Sequence, residues 1–239
     1  PIGILDASYI TGIRTGAAGA IGARYLARAD SQNLVLVGSG SQALFQIAAM
    51  KTLFPGLRKI TVVNVRTPDH AARFTAALPQ MLADQFGLDL AGVALASSGD
   101  LETALSDADI VVTVTPSKTP LVRKDWVRPG THLSCMGADM AGKQEVESAL
   151  LAGARIFVDD LEHCISAGEI EIPLKQGVIS QGDIVGEIGD LILGKVPGRQ
   201  REDEITVYDS TGMALLDIAA AKAALALAEE KSLGTVVTL

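Results

Sequence analysis

The chain has 239 residues, of which 48% are hydrophobic and 20% charged, a composition typical of a folded globular protein rather than a disordered one. Its formal net charge of −8 argues against a nucleic-acid partner, which requires clustered Lys and Arg. The mean hydropathy is +0.32, but no uninterrupted apolar run of about 18 residues predicts a membrane span, so no membrane partner is expected either. The two cysteines lack CxxC spacing and predict buried, reduced thiols, which indicates a cytoplasmic protein without a metal site.

The first part of the chain contains a predicted strand, helix, strand and helix. Residues 2–6 are interpreted as a strand, and small residues at helical spacing predict a helix over residues 9–29. The apolar run 33–37 predicts a buried strand, and a helix is expected over residues 41–53. Because the first residue is Pro1 rather than Met, we expect that a further N-terminal segment precedes it in the whole protein.

The middle of the chain alternates short apolar runs with helical patterns. Strands are predicted at residues 60–64, 93–96, 110–114, 131–136 and 156–158, and helices at residues 67–86, 100–106 and 146–151. Such alternation of strands and helices is the pattern of a parallel sheet with helices on both faces. The sequence therefore predicts the α/β class with a doubly wound parallel sheet.

After Gly168 the pattern weakens, and three elements remain to be placed. A helix is predicted over residues 184–193, a strand over residues 205–208, and an Ala-rich helix over residues 213–231. Glu169 and Glu171 lie in the weakly patterned stretch and are interpreted as solvated loop carboxylates, with an ordering role toward a substrate amine as the alternative.

A glycine-rich turn follows the predicted strand 33–37 and opens the next helix. Its sequence, residues 38–43, matches the dinucleotide fingerprint GxGxxA. Gly38 allows a tight turn, Gly40 lets the backbone approach a pyrophosphate, and Ala43 permits close helix–strand contact. The free N–H groups of the helix N-terminus favour phosphates, whereas a purely structural turn is the alternative interpretation.

This turn suggests a division of the chain into domains. Residues 29–203 are assigned to a Rossmann-type NAD(P)-binding domain, because such a domain normally ends near its sixth strand. Residues 1–28 and 204–239 are assigned to part of a second domain, for substrate binding and dimerisation. The last strand and helix are therefore expected in a second structural layer outside the dinucleotide domain.

The next strand indicates which dinucleotide would bind. About 20 residues after the glycine turn, NAD-binding proteins place a carboxylate on the ribose hydroxyls. Here the segment reads Asn64, Val65, Arg66 and Thr67, without a carboxylate and with a guanidinium that can bind a 2′-phosphate. This favours NADP(H) as the cofactor, with NAD(H) as the alternative because Arg66 is equally interpretable as a solvated surface residue.

Two further strand ends supply candidates for the reacting end of the cofactor. Thr113, Thr115 and Pro116 end one predicted strand, and the two hydroxyls are candidates for hydrogen bonds to cofactor, with a capped turn as the alternative. Asp139 follows the next strand, where a carboxylate beside the cofactor is a natural proton donor or acceptor. A helix cap or turn residue is the alternative for Asp139. The three histidines are interpreted as structural.

Five ordered motifs occupy residues 14–18, 38–42, 137–143, 194–199 and 205–212. Together they resemble the ornithine cyclodeaminase/mu-crystallin family, and the resemblance covers essentially the whole chain. The resemblance implies that Arg14 binds a substrate carboxylate and that Asp139 is the catalytic acid and base beside the substrate nitrogen. Lys143 is assigned to substrate binding, with a solvated lysine as the alternative. Within or beside the motifs, residues assigned to cofactor binding are Thr15, Ser41, Gln42, Met136, Gly137 and Ser210.

The resemblance also implies an activity: hydride transfer between a nicotinamide and the α-carbon of a small amino or imino acid, in a homodimer. Our first hypothesis is an imine reductase or amino-acid dehydrogenase, because residues 137–139 and 64–67 resemble that side of the family. The alternatives are an ornithine cyclodeaminase, which forms proline and ammonia with bound NAD, and a mu-crystallin-like binding protein. Family members have a further N-terminal segment that contributes to the substrate site, and it is expected to be missing here.

Overall fold

Eight strands form the sheet of the computed structural model, which describes residues 2–235. In chain order, β1 to β8 are Asn33–Val37, Lys59–Val63, Ala94–Ser98, Ile110–Thr113, His132–Cys135, Arg155–Val158, Ile184–Glu187 and Thr206–Asp209. The α-helices α1 to α9 are Ala7–Leu26, Ala43–Leu53, Pro68–Phe86, Leu101–Leu105, Ser148–Leu151, Leu161–Ala167, Glu171–Lys175, Ile188–Ile192 and Ala214–Glu230. No helix within residues 2–235 is long and apolar enough to cross a membrane.

All strand pairs are parallel, and the sheet order is β3-β2-β1-β4-β5-β8-β6-β7. The first six positions follow the strand order of dinucleotide-binding Rossmann folds, in which the direction of winding reverses between β1 and β4. The strands β4, β5 and β8 are buried along their whole length, and the buried polar residues of β5 and β8 find partners there, as His132 Nδ1 does at 2.9 Å from Thr206 Oγ1. One apolar cluster lies on each face of the sheet. The predicted α/β doubly wound fold is confirmed.

The N-terminal helix α1 lies against α2 and the middle of the sheet through small residues. A Cβ at Gly16 would lie 2.5 Å from the carbonyl oxygen of Phe45 on α2, so only a glycine allows this contact. The predicted strand at residues 2–6 is wrong: no strand forms there, and Asp6 instead caps α1 by accepting a hydrogen bond from Ser8 N at 2.6 Å.

Two other predictions are corrected by the sheet. The last strand was expected in a layer outside the dinucleotide domain, but β8 belongs to the same sheet and lies between β5 and β6, with Asp209 beside both Cys135 and Val158. Residues 184–187 were predicted as the first turn of a helix, yet they form β7 and pair with β6, and α8 begins only at Ile188. The assignment of residues 1–28 and 204–239 to a second domain stays a prediction.

The helix α9 carries apolar side chains on the outside of the molecule. In the part of the chain that the structure describes, none of its residues is buried, and Leu215 and Ile218 are 66% and 64% exposed. The neighbouring helix α1 exposes Tyr9 and Ile13. These residues form an apolar outer surface, which we call the α1–α9 surface.

Candidate active site

The glycine turn after β1 has the geometry of a phosphate-binding turn. Gly38 has φ +113°, a conformation that favours glycine, and a Cβ on it would lie 3.0 Å from the carbonyl oxygen of Val114. A Cβ on Gly40 would have no atom within 4 Å, so the turn is open at that point. Among described residues, no backbone or side-chain acceptor receives the N–H groups of Gly40, Ser41 and Gln42. These free donors at the start of α2 fit the pyrophosphate of a dinucleotide.

A cavity of about 320 Å³ lies against this turn, at the carboxyl ends of β1, β2 and β4. This is the position where the strand order reverses and where ligands of such sheets bind. The predicted cofactor residues that line it are Gly38, Gly40, Asn64, Arg66, Thr67, Thr115 and Pro116. The sheet thus brings together residues from three separate segments at one edge.

The loop between β2 and α3 is organised by Asn64. Its Oδ1 accepts hydrogen bonds from the backbone N–H groups of Arg66 and Thr67, at 3.1 and 2.9 Å. Its Nδ2 donates to Ser39 Oγ at 2.9 Å, and Ser39 Oγ lies 2.8 Å from Nδ1 of His70. Asn64 therefore links the two turns that would hold the adenosine half of a dinucleotide. No Asp or Glu lines the cavity along the described chain.

The hydroxyls of Thr113 and Thr115 point to a carboxylate that sequence reasoning missed. Both donate to Glu145, each at 2.7 Å, and Thr113 is fully buried and does not line the cavity. Met136 is also buried, so its side chain packs in the core rather than in the cavity. The contacts predicted for Thr113, Thr115 and Met136 with a cofactor stay predictions. The only sequence signal of Glu145 is a glutamate beside an apolar residue, Val146, which is too weak to reveal its role.

Two other glutamates lie inside the protein rather than in solvent. The prediction of solvated loop carboxylates at Glu169 and Glu171 is wrong, because both are buried. Glu171 accepts a hydrogen bond from Gly142 N at 2.7 Å and thereby fixes the loop that carries Asp139. Burial, and then the neighbouring charge of Glu145, raise the pKa of Glu169 well above its ordinary value.

Asp139 is accessible, and Lys143 forms an ion pair with it. The side chain of Asp139 is 53% exposed, whereas that of Lys143 is 14% exposed, and the lysine Nζ contacts the aspartate Oδ1. Asp139 N donates to Gly137 O at 3.1 Å, so the carboxylate stands on a tight turn directly after β5. An accessible carboxylate beside a packed cation can exchange a proton with a ligand while staying oriented.

Arg14 lies against the loop that follows β8. Its Nε is 3.3 Å from Oδ1 of Asp217 on α9, and its guanidinium packs on Gly212, whose φ of +85° favours glycine. Asp159 fixes this loop by accepting hydrogen bonds from Ser210 Oγ at 2.9 Å and from Gly212 N at 2.7 Å. The Arg14 side chain is only 18% exposed, so it is oriented rather than free in solvent.

The loop after β8, which contacts Arg14, and the loop after β5, which carries Asp139, begin at neighbouring strands. Ser210 N donates to Cys135 O at 3.0 Å, which joins the end of β8 to the end of β5. Thr15 is buried beside Arg14, and its carbonyl accepts a hydrogen bond from Gln46 on α2. The structure therefore places the predicted substrate residues and the glycine turn at one edge of the sheet. The roles assigned to Thr15, Gln42 and Ser210 stay predictions.

The model of the ornithine cyclodeaminase/mu-crystallin family matches residues 1–232. The chain belongs to this family. It is 37% identical over 235 residues to alanine dehydrogenase of Archaeoglobus fulgidus, covering 98% of this chain and 69% of that protein. A solved archaeal alanine dehydrogenase dimer with bound NAD superposes with a TM-score of 0.88 and 38% identity, covering 98% of this chain and 69% of that one.

A second solved relative contains both a cofactor and an amino acid. Thermococcus litoralis Δ1-pyrroline-2-carboxylate reductase, in complex with NADH and L-proline, has a TM-score of 0.87 and 31% identity, covering 96% of this chain and 68% of that one. The chain thus spans about two thirds of the length of these relatives. The expected family and class of enzyme, dehydrogenases and imine reductases of small amino and imino acids, are confirmed.

Proposed function

We propose that the whole protein is an NAD(P)H-dependent imine reductase or amino-acid dehydrogenase that acts on a small amino or imino acid. One observation carries the proposal: the open glycine turn and the exposed carboxylate of Asp139 lie at the same edge of one sheet. A nicotinamide cofactor bound along this edge supplies or accepts the hydride. The protein's own residues then bind the substrate and move its proton.

Each of three side chains has a distinct role in this proposal. Arg14 binds the substrate carboxylate through its guanidinium, which Asp217 and Gly212 hold in place. Asp139 gives a proton to, or takes one from, the substrate nitrogen, since its carboxylate is exposed. Lys143 orients Asp139 through the ion pair between its Nζ and the aspartate Oδ1.

The finer proposal for the cofactor is a preference for NADP(H). Arg66 is exposed at the cavity, and the described lining contains no carboxylate that would repel a 2′-phosphate. NAD or NADH is the cofactor in the solved relatives described above. Parallel calorimetric titrations with NADPH and NADH test this proposal, which expects the lower Kd for NADPH. A lower Kd for NADH would contradict it.

The assembly and the compartment are also proposals. The archaeal alanine dehydrogenase is a dimer, and the α1–α9 surface offers apolar area for a similar association of this chain. Cys135 and Cys164 are free and buried, which agrees with a reducing cytoplasm.

A substrate assay on the full-length protein tests the proposed activity. With an imine such as Δ1-pyrroline-2-carboxylate, we expect NAD(P)H absorbance to fall in proportion to the imine reduced. Conversion of ornithine to proline and ammonia without a net change in that absorbance would favour a cyclodeaminase instead. Asp139→Asn should abolish turnover but leave cofactor affinity nearly intact, whereas the exposed control Asp125→Asn should change neither. Turnover that survives in Asp139→Asn would contradict the role of this carboxylate.

A further inference from the structure

Glu145 is a fully buried carboxylate at the end of the sheet where the reacting half of a dinucleotide is expected. Four donors converge on its two oxygens. Thr115 donates to Oε1 from both its backbone N and its hydroxyl, at 2.6 and 2.7 Å. Thr113 Oγ1 and Gly137 N donate to Oε2, at 2.7 and 2.9 Å.

These donors come from two neighbouring strands. Thr113 and Thr115 lie at and just beyond the end of β4, and Thr115 lines the cavity beside the glycine turn. Gly137 follows β5 and begins the turn that carries Asp139. One side chain therefore joins a wall of the cofactor cavity to the loop of the proposed acid and base.

The contact at Gly137 is close enough to require a glycine. A Cβ on Gly137 would lie 2.6 Å from Glu145 Oε2 and 2.6 Å from Thr115 N, which no side chain can occupy. The two loops thus touch through backbone atoms and Glu145. Because the carboxylate accepts hydrogen bonds from both strand ends, we expect a change in it to alter their separation.

The four donors favour the anionic form of Glu145. Each of its oxygens accepts two hydrogen bonds, and a carboxylate is the side chain that offers only acceptors. No Lys or Arg forms an ion pair with it in residues 2–235, so the four donors stabilise its charge. Behind it, Glu169 accepts the backbone N–H groups of Glu145 and Val146. Burial raises the pKa of both carboxyl groups, and the charge of Glu145 adds to the rise at Glu169, so we assign the proton of the pair to Glu169.

We propose that Glu145 is a positioning residue, whose carboxylate holds the ends of β4 and β5 together and so sets the width of the slot for the nicotinamide half of the cofactor. The inference rests on the proposed function, since it assumes that a dinucleotide binds at this edge. The inference predicts that a change in Glu145 weakens binding of the nicotinamide half of the dinucleotide and not of the adenosine half. The adenosine half lies on the loop that Asn64 organises, which shares no hydrogen bond with Glu145 among the described residues.

The test uses Glu145→Gln in the full-length protein. Glutamine keeps the volume but turns an amide donor toward Thr115 or Gly137, which are donors themselves. The matched control is Glu147→Gln, two residues away, where the carboxylate accepts only a hydrogen bond from Lys124 N at the surface. Calorimetry measures the Kd of the cofactor that the wild type binds and of its counterpart without nicotinamide, the corresponding ADP-ribose.

We expect Glu145→Gln to weaken the dinucleotide at least about tenfold while ADP-ribose binding stays within about twofold. In hydrogen exchange without ligand, the amides of Thr115 and Gly137 should exchange faster, and those of Arg66 and Thr67 should not change. An unchanged dinucleotide Kd would overturn the proposal. Equal weakening of both ligands would also overturn it, because it would show a general structural role.

A milder variant keeps the test decisive if Glu145→Gln does not fold. Thr113→Val is isosteric and removes one of the four donors, so the dinucleotide Kd should rise about threefold with ADP-ribose unaffected. No change in that Kd would refute the inference. A wild type that binds neither ligand would refute the proposed cofactor site instead, and the exchange rates of Thr115 and Gly137 would still decide whether Glu145 holds the two strand ends.

Discussion

Two alanine substitutions in the glycine turn should separate folding from cofactor binding. Gly38 has φ +113°, and a Cβ on it would lie 3.0 Å from Val114 O and 3.1 Å from the Thr115 methyl carbon. Holding alanine in such a sparsely populated conformation costs about 1–3 kcal/mol. We therefore expect Gly38→Ala to lower the free energy of unfolding by about 2 kcal/mol, or the Tm by about 4–8 °C in a chain of this size.

Gly40→Ala should behave in the opposite way. A Cβ there meets no atom within 4 Å, and the residue lies outside the left-handed region, so the change in stability should stay below about 0.5 kcal/mol. The added methyl group stands where the turn is open to a pyrophosphate, so the cofactor Kd should rise at least about tenfold.

Thermal unfolding without ligand and calorimetry with NADPH and NADH measure the two effects separately. Gly56→Ala is the matched control, since a Cβ there also meets no atom within 4 Å and the residue is remote from the cavity lining. It should change neither quantity. Equal losses of stability in Gly38→Ala and Gly40→Ala, or wild-type cofactor affinity in Gly40→Ala, would refute this reasoning.

Three further changes test other parts of the site. Burial raises the pKa of Asp209 from 3.8 to about 7, so its contribution to stability is fully present below about pH 4 and is lost as the pH rises through 7. Urea unfolding at about pH 5 and about pH 8 measures the free energy of unfolding, and its difference between the two pH values should be smaller in Asp209→Asn than in the wild type. The same difference in both proteins would contradict the prediction. Arg66→Ala should weaken NADPH about tenfold in calorimetry but leave NADH within about twofold, and an equal loss for both would argue against a 2′-phosphate contact. Asp217→Asn should raise the substrate KM up to about fivefold at nearly constant kcat, because Arg14 loses its partner; a fall in kcat alone would be inconsistent with this role.

The glycine turn and the strand pattern could be predicted because they depend on local sequence. The run Asn33–Val37 followed by Gly38 and Gly40 fixes a strand, a turn and a helix without reference to distant residues. The position of β8 could not be predicted, because the order of strands depends on packing between segments that are far apart in the chain. Residues 184–187 are apolar enough for either a helix or a strand, and pairing with β6 decides between them.

The buried glutamates show a different limit of sequence reasoning. A glutamate is normally exposed, so Glu169 and Glu171 were interpreted as solvated. Their burial depends on donors supplied by Glu145, Val146 and Gly142, residues whose proximity only the fold reveals. Carboxyl groups can be buried where N–H groups converge on them, and sequence spacing does not show this convergence.

The position of β8 has a consequence for synthesis on the ribosome. Until residues 206–209 have been translated, β5 and β6 cannot be joined, and the nascent chain exposes two open sheet edges. Such edges invite pairing with other chains, so we expect the emerging polypeptide to rely on chaperones until this late strand is inserted. Synonymous codons that slow translation just before residues 206–209 should then reduce the yield of native protein more than the same codons placed after them.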